Sequence, residues 1–199
     1  MTARVSQSDE EAGGSFDIRP ADWAGFTAVM GEKGGCGGCW CMLWRLSKGE
    51  MDVGMGEGNR RAMQAIFDSG HIPGLIAWHD CEAVGWIQVD NRAAFPRLET
   101  SRVLKPVDHK AVWSVSCFLV DKRFRRSGLS ARLLRAACTF AREQGATILE
   151  GYPIDTPKAS YPPVYAWTGF AGAFREAGFE EVARRSATRP IMRKYLAET

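Results

Sequence analysis

The sequence predicts an α/β domain: a mixed, mostly antiparallel sheet of six or seven strands flanked by helices. Three observations carry this. The runs "GLIAWHD", "EAVGWIQVD" and "AVWSVSCFLV" are rich in β-branched and aromatic residues and read as strands. Segments with apolar residues at three- and four-residue spacing alternate with them and read as helices. Hairpins interrupt the alternation, which excludes a doubly wound sheet.

The elements follow in order. "FDIRP" is a short strand stopped by Pro20, and "ADWAGFTAVMGE" is a helix whose Trp23, Phe26, Val29 and Met30 make one apolar face. A second helix spans about residues 59–69, with Met63, Ile66 and Phe67 inward and Gly70 at its end. The next two strands form a hairpin with a tight turn near Asp80 and Cys81, which leaves His79 exposed. A polar, partly helical piece, residues 92–104, leads to the strand over 112–120. An amphipathic helix over 127–144 buries Leu129, Leu133, Ala137, Phe140 and Ala141 and stops at Gly145. "ATILEGYP" is a strand, a Pro-rich loop follows, and a helix spans roughly 167–177. "FEEVARR" and "RPIMRKYL" close the chain as an antiparallel pair.

With 199 residues, 45% of them hydrophobic, the chain has length for one well-buried core and little room for two. The expected division is a disordered polar leader over 1–14 and a single domain over 15–199. No stretch approaches about 18 consecutive apolar residues, so no membrane helix is expected. The first residues have no apolar stretch after Arg4, so no secretory signal is expected, which places the chain in the cytoplasm. Its six cysteines are then read as thiols or metal ligands. The net charge of +3 is too small to point to nucleic acid by itself.

The chemistry-bearing unit is "FLVDKRFRRSGLSARLL", a strand, a turn with Arg123, Arg125 and Arg126, and a helix opening at Ser127 and Gly128. A helix N-terminus offers unpaired N–H groups and a positive dipole end, a seat for phosphate. Gly128 allows close approach of a ligand, and the guanidinium groups add charge-assisted contacts. The alternative is a basic turn on an ordinary helix. The pattern is neither a P-loop nor a dinucleotide-binding fingerprint.

This segment resembles the acetyl-CoA-binding segment of the GNAT (general control-type N-acetyltransferase) superfamily, Arg/Gln-x-x-Gly-x-Gly/Ala after an apolar strand. Arg125, Gly128 and Ser130 fall on the signature, with Ser130 replacing the usual Gly or Ala. "EAVGW" and "FREAGFEEVARR" resemble the family's hairpin strand and its last helix with the following strand. The resemblance covers about residues 16–196. It implies the acyl-CoA N-acyltransferase fold and transfer of acetyl from acetyl-CoA, the co-substrate, to an amine by direct attack. It also implies that the backbone of Cys117, Phe118, Leu119 and Val120 meets the pantetheine arm. Arg125, Arg126, Ser127, Gly128, Leu129 and Ser130 would hold the pyrophosphate. A homodimer is common in this superfamily.

Direct attack needs a neutral amine, hence a proton acceptor, and the leaving thiolate needs an acid or dipoles. Relatives place a Tyr in the last helix for the second task, and Phe174 stands there instead. Tyr165 is the candidate substitute acid, against the reading of a loop aromatic. Glu150 is the candidate base, against the reading of a solvated strand-end carboxylate. Ser114 and Ser116 lie on the central strand and either orient a water or satisfy themselves in the sheet. His71, His79 and His109 have no partner at a telling spacing.

"GGCGGCWCMLWR", residues 34–45, holds Cys36, Cys39 and Cys41. As zinc ligands they lack a fourth partner and a second pair. As a redox pair, Cys36 and Cys39 lack the usual strand-to-helix setting. The resemblance offers a third reading, since the connection between the first two helices overhangs the acceptor pocket in this fold. Cys39, Trp40, Cys41, Met42, Trp44 and Arg45 would then surround the acceptor, with Arg45 free to hold a carboxylate or phosphate. No metal is expected in that reading, and a small-molecule amine is preferred as partner, with no nucleic acid and no membrane. The rival is a zinc-binding or redox-sensing module that keeps acyl-CoA without turnover.

Overall fold

A computed structural model describes residues 15–156 and 166–196. The chain runs through β1 (Asp17–Pro20), α1 (Trp23–Met30), α2 (Lys48–Val53), α3 (Glu57–Asp68), β2 (Gly74–His79) and β3 (Glu82–Asn91). After a 3-10 turn come α4 (Pro96–Glu99), β4 (Trp113–Val120), a second 3-10 turn and α5 (Leu129–Glu143). β5 (Ile148–Gly151), α6 (Ala171–Glu176), β6 (Glu180–Arg184) and β7 (Pro190–Tyr195) complete it. The seven strands form one sheet in the order β1-β2-β3-β4-β5-β7-β6, antiparallel except for the β4–β5 pair. The expected fold class is therefore the observed one.

The period-two alternation of strand side chains divides the core between the two faces of the sheet. Ile87, Val89 and Val115 face α5 and α6, where they meet Leu129, Leu133, Ala137, Phe140 and Phe174. Each fully buried leucine there contributes about 1.5–3 kcal/mol. Gly85 brings α5 close, since a Cβ at that position would stand 3.3 Å from Leu129. On the other face Trp86 and Cys117 pack with Phe26, Met30, Trp40, Cys41 and Met63 from α1, the segment before α2, and α3.

One feature of the sheet positions the site. β4 and β5 are paired only over Trp113, Ser114 and Val115 against Leu149, Glu150 and Gly151. Beyond Val115 the two strands part, and residues 116–120 of β4 face a gap. β3 stays paired with β4 through Val120, with a bulge at Gln88 and Val89.

Several expectations are corrected. The helix expected over 167–177 is confined to Ala171–Glu176, because Gly169 holds φ +81° and Arg189 Nη1 fixes the Thr168 hydroxyl at 2.8 Å. His79 is not an exposed turn residue. Its ring sits between Phe16 and Phe124, with centroids 5.3 and 4.9 Å away. His71 does have a partner, Asp90, at 2.7 Å. The sequence reading also missed α2, which is fixed by a capping box. Ser47 accepts the N–H of Glu50, and Glu50 accepts the N–H of Ser47. The leader over 1–14 lies outside the described residues.

Candidate active site

The segment before α2 is built on left-handed backbone. Gly34, Gly35, Gly37 and Gly38 hold positive φ, followed by Trp40 at +45° and Cys41 at +57°. Glycine carries this conformation without the Cβ clash. At Gly34 it is doubly required, since a Cβ would stand 2.2 Å from Trp40 Nε1. The winding turns Trp40 into the core, 5% exposed, stacked on Trp23 at 6.3 Å. It turns Cys39, Cys41, Leu43 and Trp44 toward β4.

Between this segment and β4 lies a cavity of about 240 Å3, bounded by Cys36, Cys39, Cys41, Trp44, Cys117 and Trp167 among others. It lies where β4 leaves β5. Three of the expected acceptor residues, Cys39, Cys41 and Trp44, line it together with Cys117, Phe118 and Leu119. The other three do not. Trp40 and Met42 are core. Arg45 is spent on an internal ion pair, its Nη2 2.6 Å from Asp90 Oδ2, with the two side chains 8% and 4% exposed. Arg45 is thus drawn to Asp90 and is not among the residues that line the cavity.

Two thiols of the cavity, Cys39 and Cys117, are shifted toward the protonated form. Burial, reinforced by Cys41, pushes the Cys39 thiol up to about 11. Hydrogen bonding with Cys41 and burial push the Cys117 thiol well above its ordinary value. Cys41 Sγ and Cys117 Sγ stand 3.3 Å apart. Such thiols are poor nucleophiles and poor metal ligands. Among the described residues no group of three or more His, Cys, Asp or Glu side chains is arranged to hold a metal ion.

Sequence reasoning missed Gln88. It is fully buried on β3 and lines the cavity. Its Oε1 accepts the Ser116 hydroxyl at 2.7 Å, while its Nε2 has no partner among the described residues. The signal was present: a Gln inside "EAVGWIQVD", at a position where alternation calls for an apolar side chain.

Glu150 is not a solvated strand-end carboxylate, which corrects that expectation. It is 1% exposed. Its Oε1 accepts from Arg92 Nη1 at 2.8 Å and Tyr152 Oη at 2.7 Å, and its Oε2 from Arg193 Nε at 2.7 Å. Ser114 bonds to Tyr152 Oη at 2.8 Å, and Arg193 reaches Asp108 at 2.7 Å. This network joins β4, β5 and β7 beside the point where the strands part. Burial and the adjacent Glu150 charge push the Tyr152 phenol well above its ordinary value. Glu150 does not line the cavity. Tyr165 lies outside the described residues.

The turn before α5 presents the second half of the site. Arg126 at φ +65° and Gly128 at +78° wind the chain into the helix N-terminus. Among the described residues the backbone N–H groups of Arg126, Ser127, Leu129 and Ser130 have no partner. A Cβ at Gly128 would meet nothing within 4 Å, so the turn is open. Arg125 and Arg126 are exposed and make no ion pair among the described residues. Arg123 is not available in the same way, because it pairs with Glu82 and Asp121. Along β4 two polar contacts are already taken: Phe118 donates its N–H to Trp167 O at 2.6 Å, and Val120 O accepts from Arg125 Nε at 3.2 Å. Phe174, which stands where the resemblance leads one to expect a Tyr, is fully buried against Phe118 and Phe179 and is part of the core.

The match to known proteins agrees with this geometry. The description "Acetyltransferase (GNAT) family" fits residues 41–156, more than half of the chain. The chain belongs to that family. It is an acetyltransferase of the kind that draws its acetyl group from acetyl-CoA. Solved structures share the fold at low identity. An N-acetyltransferase from Staphylococcus aureus Mu50 is 12% identical over 92% of this chain and 100% of its own, with a TM-score of 0.55. A ribosomal-protein-alanine N-acetyltransferase from Brucella melitensis is 17% identical over 90% and 99%, at 0.54. PaiA N-acetyltransferase from Thermoplasma acidophilum, in complex with coenzyme A, is 13% identical over 91% and 99%, at 0.53. No curated protein matches the chain. The rival of a zinc or redox module without turnover finds no support in these findings.

Proposed function

We propose that the chain acetylates a small-molecule amine, which enters the cavity between residues 36–44 and β4 and attacks the thioester directly. The observation that carries this is the cavity itself: one space is lined by Cys39, Cys41 and Trp44 on one side and by Cys117, Phe118 and Leu119 on the other. The pyrophosphate of the co-substrate sits on the N–H groups of residues 126–130 with Arg125 and Arg126 beside it. Its pantetheine arm runs into the gap beside β4, where an amide carbonyl takes over the Phe118 N–H from Trp167. The acetyl group then points through the gap into the cavity.

In the reaction the amine nitrogen bonds to the acetyl carbon and the C–S bond breaks. The products are an N-acetyl amine and the free thiol of coenzyme A, so the amine's proton balances the leaving thiolate. The protonated state of Cys39 and Cys117 speaks against a thioester on the enzyme. With Glu150 held by two arginines and a phenol, its role in this reading is to fix β4, β5 and β7, not to take the proton. Tyr165 stays the candidate acid for the leaving group. The six cysteines, all free thiols, fit a reducing cytoplasm, and no helix among the described residues is long and apolar enough to cross a membrane.

The test is intact-protein mass spectrometry after incubation with acetyl-CoA and no amine, followed by an amine panel. Direct attack predicts an unmodified protein and an acetylated amine. A stoichiometric acetyl adduct on Cys39, Cys41 or Cys117 that amines discharge would replace direct attack with an acyl-enzyme route.

A further inference from the structure

We infer that the acceptor is a compact apolar amine without a carboxylate or phosphate, and that it presents one hydrogen-bond-accepting oxygen to Gln88 Nε2. The inference rests on the reading of the cavity as the acceptor site and adds the chemistry of what fills it.

Charge comes first. Among the described residues that line the cavity there is no Asp, Glu, Lys, Arg or His. The Cys39 thiol is pushed up by burial, and the Cys117 thiol by its hydrogen bond with Cys41 and by burial. The arginine of the same segment, Arg45, pairs with Asp90 at 2.6 Å and is not among the lining residues. A carboxylate or phosphate brought here would lose its water and meet no counter-ion among the described lining residues, a heavy desolvation cost. The walls are instead sulfur and indole: Cys39, Cys41, Met51, Trp44, Cys117 and Trp167. Polarizable thioethers and aromatic faces suit an aromatic or branched aliphatic body. The volume of about 240 Å3 lies below the ~300 Å3 lower end of ordinary ligand pockets, which sets the size as compact.

One polar feature remains. Ser116 is fully buried, and Gln88 Oε1 is the acceptor of its hydroxyl. In that arrangement Gln88 Oε1 is taken by the Ser116 hydroxyl, and Nε2 is the other end of the amide. Gln88 Nε2 is thus held as a donor with no partner among the described residues. A buried donor on a cavity wall, with no partner among the described residues, suits recognition of an oxygen that arrives with the ligand.

Three amines isolate the two claims: 2-phenylethylamine, phenylalaninamide and phenylalanine, which differ by hydrogen, carboxamide or carboxylate at one carbon. Acetylated product is quantified by mass spectrometry for wild type, Gln88→Leu and the double variant Gln88→Leu/Ser116→Ala. The double variant removes the hydroxyl that the single one orphans. Wild type is expected to favour phenylalaninamide over phenylalanine by at least about tenfold in kcat/KM. Both variants are expected to lower kcat/KM for phenylalaninamide about tenfold more than for 2-phenylethylamine, a ratio in which amine basicity cancels. Phenylalanine turned over as well as the amide, or an amide-to-amine ratio unchanged in both variants, overturns the inference. Turnover of none of the three while acetyl-CoA still raises the melting temperature also overturns it and leaves the acetyltransferase reading standing. No effect of acetyl-CoA would strike that reading itself.

Discussion

Replacing Glu150 by Gln separates a structural carboxylate from a catalytic one. The substitution keeps the volume and removes the charge between Arg92 and Arg193, whose side chains are 9% and 2% exposed. One of the two Gln orientations sets its NH2 against Arg193 Nε, the other against Arg92 Nη1 and Tyr152 Oη, so donor meets donor either way. Breaking a buried pair by removing one partner costs about 3–5 kcal/mol. Arg92 keeps Glu99 and Arg193 keeps Asp108, each at 2.7 Å, so the lower end of about 3 kcal/mol applies. For a chain of this size that is a fall in melting temperature of about 6–12 °C. The assays are thermal unfolding and, at a temperature where both proteins are folded, acetyl transfer against pH. The account predicts a large thermal loss and a pH profile of unchanged shape. A variant that melts with wild type while losing the acidic limb of its pH profile would refute it and make Glu150 the base.

Two further outcomes follow from the packing and the charges. The Arg193 hydrogen bond holds Asp108 down to about 2, and arginine partners likewise hold Asp121, Asp155 and Glu181 below their usual range. Carboxylates depressed in the folded state stabilise it above the unfolded value of about 3.9 and lose that contribution as pH falls through the folded one. Melting temperature should therefore drop between about pH 4 and pH 2, and a flat curve over that window would contradict these pairings. At Gly151 an added Cβ would stand 2.2 Å from Phe174 Cε1, and the ring is fully enclosed. Gly151→Ala should cost about 1–3 kcal/mol in urea unfolding, and a neutral result would mean the ring can retreat.

What the sequence made legible was local. The stripe of Leu129, Leu133, Ala137, Phe140 and Ala141 lies inward as its spacing requires. The turn with Gly128 winds into a helix N-terminus because a short-range pattern specifies it. The hairpin at Asp80 and Cys81 is likewise a local signal, both residues holding positive φ. What stayed hidden depends on partners far apart in the chain. Arg45 looked free until Asp90, 45 residues on, took it. Glu150 looked solvated until Arg92 and Arg193 closed over it from 58 and 43 residues away. The role of the glycines before Trp40 was readable only in part. Their number announced a tight course, but only the fold shows that it is wound to seat an indole in the core and thiols on a cavity. The capping box of Ser47 and Glu50 was local and readable, and was passed over because α2 is only six residues long.

The central claim is that acetyl-CoA binds across the α5 turn and the β4 gap. Thermal unfolding of wild type and Gly128→Trp with acetyl-CoA tests it most directly. A ligand at 100 times its Kd stabilises the folded state by about 2.7 kcal/mol, a rise of about 5–10 °C here. The open space at Gly128 lets the variant fold, at the cost of a strained left-handed residue, while its indole covers the pyrophosphate seat. The account predicts a clear rise for wild type and none for the folded variant. No rise for wild type at millimolar acetyl-CoA, or the same rise in both proteins, would contradict it.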